Sequence, residues 1–403
     1  MIKVQYEAKK AFKICFLCVT TYIVNYYIRH ILSVLTPSIL SEGIYSKAYL
    51  ALLSSTYMIV YAFGQLINGF IGDRVKPKYM LLAGLFLSSV SLTVFPFIGD
   101  KYYVGILCFI IMGIGLSMMR GPLVKAISEN TLPKYARIGC VLLSFAGFSG
   151  PLLAGIASML LKWRGVFIFS GIFALVVGLT SFCLLSVFEK KGIIVQRQTK
   201  EKYKTKKFPL LNLFSLRNFV PYMFIGMVIE ISVASINFWI PTYLTQYLGF
   251  SQASSSLIFS IIAVGRSVCP FLSLFVFKIF KERDMLIVRT AFLVSTAIFV
   301  LVFLVKQPVL NVVLFTVALM CSGVASSTMW SIYIPSLADS GMVSSANGVL
   351  DCSGYIGASL MNYAVVPIMN NFGWGGVIIS WGMTVLFGAV ITLFAKDSKK
   401  AGI

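Results

Sequence analysis

Apolar runs long enough to cross a lipid bilayer as helices follow one another along this chain, with only short polar breaks between them. A helix rises about 1.5 Å per residue, so a hydrocarbon core of roughly 30 Å takes about 20 residues. Twelve runs are read, at 12–38, 48–72, 78–98, 102–126, 136–161, 165–188, 220–247, 252–277, 284–305, 308–333, 342–369 and 374–395. Of the 403 residues 58% are hydrophobic and 12% charged, against about a quarter charged in an ordinary soluble domain. No water-soluble surface can be built from that balance. The expected fold is an all-α membrane protein of twelve transmembrane helices. The first run is longer than the core of a signal peptide and no small-residue cleavage site follows it, so it is expected to stay in the mature protein.

A net charge of +21 would suit a nucleic-acid binder if the 34 basic residues formed a patch, but they sort by side of the membrane instead. When breaks are assigned to alternate sides, one set carries 26 of them and the other five: Lys47, Lys101, Lys162, Arg164 and Lys306. The rich set includes Lys3, Lys9, Lys10 and Lys13, the turns around Arg74 and Lys125, the stretch from Lys278 to Arg289, and Lys396, Lys399 and Lys400. Such a split is the positive-inside pattern, which predicts cytoplasmic termini in a multi-pass protein of the cell membrane. Nucleic acid is thereby excluded as a partner, and the lipid bilayer is the expected surrounding. The one long break, 189–217, holds nine basic residues and little that could form a core. It reads as a linker along anionic headgroups between a six-helix half at 1–188 and another at 218–403.

Ionisable side chains inside a span cost about 2.5–3.5 kcal/mol on insertion scales, so those present should face a cavity or a partner. They are Arg29 in span one, Arg120 in span four, Glu230 in span seven, Arg266 in span eight and Asp351 in span eleven. Arg29 is read as an anion-binding group, against a salt bridge to a neighbouring span. Arg120, beside Pro122, either binds substrate or caps carbonyls freed by the proline. Arg266 and Glu230 either pair with each other or serve substrate and proton respectively. Asp351 either pairs with an arginine or carries the coupling proton. His30, the single histidine, reads as a polar wall residue rather than as a second positive group. Tyr22, Tyr26, Tyr27, Tyr61, Asn237, Trp239, Trp330, Tyr333 and Asn362 complete the candidate lining, Tyr26, Trp239 and Trp330 being the foremost.

Other motifs add little chemistry. Cys15-Phe-Leu-Cys18 has metal-ligand spacing but lies in an apolar run without a second pair, so no metal site is expected. No G-x-x-x-x-G-K-[ST] loop occurs, so neither ATP nor another cofactor is expected, and any transport must draw on an ion or exchange gradient.

Gly69-Phe-Ile-Gly-Asp73-Arg74-Val-Lys76-Pro-Lys78, between spans two and three, resembles the G-x-x-x-D-R turn of the major facilitator superfamily. That likeness implies two six-helix pseudo-repeats, no enzyme activity, and a gating latch of Gly69, Asp73 and Arg74. The corresponding turn Lys278-Ile-Phe-Lys281-Glu-Arg283-Asp284 keeps charges but lacks the glycine, and reads as a degenerate latch. Four stretches are similar to the organophosphate:phosphate antiporters within that superfamily: Asn25-Tyr-Tyr-Ile-Arg29-His30, Tyr61 to Arg74, Trp239-Ile-Pro241-Thr-Tyr243-Leu, and Ala346 to Gly357 followed by Phe372-Gly373-Trp374-Gly375-Gly376. By that resemblance Arg29 holds the substrate anion, with Arg120 or Arg266 assisting. The interior charges fall only on spans that line or flank the superfamily's cavity.

The family's second phosphate-binding arginine falls on Val233, and its span-five histidine has no counterpart. Phosphate esters are therefore expected to bind less tightly, or a monoanion to be preferred. The expected function is transport of a small organic anion by alternating access in a protein that works as a monomer. Exchange or proton coupling through Glu230 or Asp351 would drive it. The alternative is a drug:proton antiporter, suggested by Gly147-Phe-Ser-Gly150-Pro151-Leu-Leu-Ala-Gly155 in span five; tight helix packing explains the same string.

Overall fold

The computed structural model describes residues 2–99, 101–195 and 212–395. Most of the linker, including Arg197, Lys200, Lys202, Lys204, Lys206 and Lys207, lies outside the described residues, as do Lys396, Lys399 and Lys400. The described residues are almost entirely helical, as the apolar runs require: backbone groups in hydrocarbon must be satisfied within the segment.

Spans one, two, three, five and six are the helices Ile2–Ser41, Lys47–Arg74, Pro77–Ile98, Pro133–Leu160 and Trp163–Lys190; span nine is Asp284–Leu304. The others are interrupted, and proline accounts for several interruptions. A helical proline clashes with the carbonyl four residues back and cannot donate to it. Pro122 falls four residues after Met118, where span four breaks into Tyr102–Ser117 and Arg120–Asn130. Pro151 falls four after Gly147, where span five bends by 42°. Pro335 falls four after Ser331, within a π-helical turn at Met329–Tyr333 that ends the span-ten helix Pro308–Thr328. Span seven carries a second π turn, Ile231–Ser235, between Phe219–Glu230 and Ile236–Gln246. Span eight divides at Val268, ahead of Pro270.

Spans eleven and twelve form a continuous run, Val343–Ile391, broken at Gly373 alone. Its φ of 62° and ψ of −167° lie in a region essentially restricted to glycine.

The chain falls into two compact units, Met1–Leu213 with Ile334–Val349, and Phe214–Tyr333 with Leu350–Ile403. In the first, span one packs on span five, span three on span six, and spans two and three on span four. In the second, span nine packs along span ten, which also meets span eight.

Candidate functional site

In the first unit, aromatic rings surround Arg29. Its guanidinium lies 4.9 Å from the centre of the Tyr61 ring and 5.9 Å from that of Tyr26. Tyr26 in turn stacks on His30 and meets Tyr22 edge to face. Tyr61 accepts from Gln65 Nε2 at 2.6 Å and lies beside Tyr57. Ring faces stabilise a guanidinium without neutralising it. Arg29 and Tyr26 are half-buried, whereas Tyr22 and Tyr27 are buried, Tyr27 bonding Ser170 at 2.6 Å.

Small residues let span five come this close. A Cβ on Gly150 would stand 2.5 Å from the Tyr26 carbonyl carbon, and one on Gly147 would stand 3.1 Å from the Tyr26 ring. Gly147 and Gly150 of the span-five string thus have a packing role against Tyr26, whereas Gly155 meets nothing within 4 Å.

Arg120 opens the short helix after the span-four break. The Leu116 carbonyl at that break accepts from Asn25 Nδ2 at 2.9 Å, so a span-one amide caps it.

The second unit holds Arg266, Glu230, Asp351, Trp239 and Trp330. Arg266 lies within electrostatic reach of Glu230. Glu230 ends the helix before the π turn, and its side chain packs over Gly354 of span eleven. Asp351 is buried one turn earlier on that span, and Ser353 Oγ donates to the Met223 carbonyl at 3.3 Å. Trp330 is buried within the π turn of span ten, while Trp239 follows that of span seven and is half-buried. The side chains of Asn237 and Asn362 lie outside the described residues.

The π turns bear on Val233, which lies inside one of them. A π turn takes in one extra residue, so a count back from Trp239 can slip by one. Slipping reaches Ser232 or Ala234, and no residue of Ile231–Ser235 is cationic. Nothing in the composition of Ile231–Ser235 marks a π turn, and sequence reading missed it.

The Gly69–Arg74 turn is built around Asp73. Its carboxylate accepts from the backbone N–H of Ser344 and of Ser345, each at 2.9 Å. These amides are in the first turn of the helix starting at Val343, and Met342 before it has no capping oxygen. Span two supplies the missing cap from outside, where the helix dipole favours an anion. Gly69 permits the approach: a Cβ there would stand 2.8 Å from the Ser344 carbonyl oxygen and 3.1 Å from Gly348 Cα.

Lys125, counted among the charges of a cytoplasmic turn, is instead 1% exposed. Its Nζ donates to the Asp73 carbonyl at 2.7 Å and the Gly72 carbonyl at 3.2 Å, and lies 3.9 Å from Asp73 Oδ1. Arg74 is exposed. Beyond the turn, Glu189 at the end of span six takes Lys76 and Lys78 and holds the Lys76 ammonium above its usual pKa.

The turn corresponding to Asp73 in the second unit is not empty either. Asp284 is 2% exposed and accepts from Tyr222 Oη at 3.0 Å. Tyr333 stacks on Tyr222 at 3.7 Å and donates to the Arg217 carbonyl at 2.8 Å.

Broken and π-turned helices carrying sparse interior charges define the class as a polytopic helical transporter. The sequence profile of the Major Facilitator Superfamily matches residues 18–362, and the chain belongs to that superfamily. It is similar to the glycerol-3-phosphate transporter of Bacillus subtilis (strain 168), with 25% identity covering 93% of this chain and 90% of the relative. It is also similar to sugar phosphate exchanger 3 of Mus musculus, with 24% identity over 87% of this chain and 80% of the other. Among solved structures, the proton:xylose symporter XylE bound to 6-bromo-6-deoxy-D-glucose superposes with a TM-score of 0.71, covering 98% of both chains at 12% identity. The fold is accordingly the twelve-helix fold of that superfamily, and the chain is a multi-pass membrane transporter of a small molecule.

Proposed function

We propose that this transporter moves a small organic anion, such as a phosphate ester, sugar phosphate or carboxylate, by alternating access. The observation that carries the reading is Arg29, half-buried inside span one with two tyrosine faces against its guanidinium. A planar fork held there can take a carboxylate or phosphate bidentately. The relatives named for glycerol 3-phosphate and sugar phosphate support the anion class. Because Ile231–Ser235 offers no second arginine, a monoanion or a weakly held phosphate ester fits best. Exchange or proton coupling drives transport, with Glu230 and Asp351 as the carboxylates able to carry a proton.

The test is thermal stabilisation of the purified protein across phosphate esters, carboxylates, neutral sugars and cationic drugs. Stabilisation by anions is expected. Stabilisation by cations alone would replace this reading with drug:proton antiport.

A further inference from the structure

Along the outside of the first unit, spans one and six leave a groove of about 330 Å³ between them. On span one it runs from Phe12 to Val24, and on span six from Phe188 back to Phe173. Twelve residues of helix rise about 18 Å, close to the roughly 15 Å depth of one hydrocarbon leaflet. The hydroxyls along it are already occupied. Thr20 Oγ1 donates to the Phe16 carbonyl at 2.8 Å and Thr180 Oγ1 to the Val176 carbonyl at 2.7 Å, while Ser181 Oγ bonds Thr21 Oγ1 at 2.8 Å. What remains for an occupant is an apolar trough, and at the end of it that lies nearest the N-terminus stands one cation, Lys13. Lys13 is exposed and makes no ion pair among the described residues.

We infer that this groove is a binding site for one anionic phospholipid, with an acyl chain along the Phe12–Val24 stripe and the phosphate against Lys13. An ammonium at the mouth of a leaflet-deep apolar groove matches an anionic lipid in both parts. The basic linker is a poor competitor for the place, since Lys200, Lys202, Lys204, Lys206 and Lys207 would bring like charge to Lys13. Span one also carries Arg29, so an occupant here braces the helix that bears the proposed anion contact.

A Phe16→Trp variant of the full-length protein, in vesicles of equal parts phosphatidylcholine and phosphatidylglycerol, provides the test. With bromine on the acyl chains of one lipid at a time, and wild-type fluorescence subtracted, brominated phosphatidylglycerol should quench with about fivefold higher apparent affinity than brominated phosphatidylcholine. Adding Lys13→Gln should remove that preference while the thermal transition is retained. Phe173→Trp serves as the reporter at the other end of the groove if Phe16→Trp does not fold. Equal quenching by the two lipids would overturn headgroup selection. A preference that survives Lys13→Gln would overturn the role of Lys13, and no quenching by either lipid would show a groove closed by the chain itself.

Discussion

The two units keep their interior charges in different company. In the first, Arg29 is faced by aromatic rings and Asp73 by backbone amides and an ammonium. In the second, Arg266 has the Glu230 carboxylate within reach, and Asp284 accepts from the neutral phenol of Tyr222. A cation against rings keeps its full charge for a ligand, whereas a cation near a carboxylate is partly neutralised by its own protein. Under the function proposed above, the contrast corresponds to anion affinity in the first unit and proton carriage in the second.

The strongest test of that division is at the carboxylates. Glu230→Gln or Asp351→Asn should abolish uphill uptake into proteoliposomes and its pH dependence, while binding in the folded variant changes less than about threefold. If both variants still accumulate substrate with an unchanged pH profile, the second unit does not carry the proton and obligate exchange replaces coupling.

Next in size is the pair of arginines. Charge-assisted hydrogen bonds contribute on the order of 1.5–3 kcal/mol, so Arg29→Ala should weaken binding about tenfold to a hundredfold, with partial rescue by Arg29→Lys. Arg266→Ala should cost affinity less and thermal stability more, since it removes a cation within reach of Glu230. Equal affinity losses at the two positions would mean one anion clamp drawn from both units and would erase the contrast.

The smallest effect separates the two acidic turns. Asp73→Asn removes a charge that caps the Val343 helix and faces Lys125, and should lower stability by about 1.5–3 kcal/mol in thermal unfolding. Asp284→Asn keeps an acceptor for Tyr222 and should lose about 1 kcal/mol or less. Similar losses would show that Asp284 is held as firmly in its turn as Asp73 is in the first unit.

Much of this was legible before any coordinates. Spans announce themselves because hydrocarbon tolerates little but apolar helix, and the Gly69–Arg74 turn and the interior charges stand out against that background. Prolines 122 and 151 pointed to the weak points of spans four and five. Lys125 was not legible: a lysine at the end of a span reads as topological charge unless its carbonyl partners on another span are known. The π turn of span seven left no trace in composition, and Asp284, read as part of a degenerate latch, gave no sign of its contact with Tyr222, 62 residues earlier.

Gly373 has a consequence for how the chain enters the membrane. With a single non-helical residue as the corner, only Asn370 and Asn371 break the apolar run between spans eleven and twelve, and the two are expected to partition as one helical hairpin. Among the described residues, an apolar stretch long enough to cross runs through the corner, Ala364–Phe394, and the first turns of span eleven carry Ser344, Ser345, Asn347 and Asp351. An aspartate at mid-span alone costs about 2.5–3.5 kcal/mol at insertion. Span eleven is therefore expected to depend on span twelve for entry into the bilayer, so a charged insertion at the corner should lower the yield of folded protein, measured by expression and thermal unfolding.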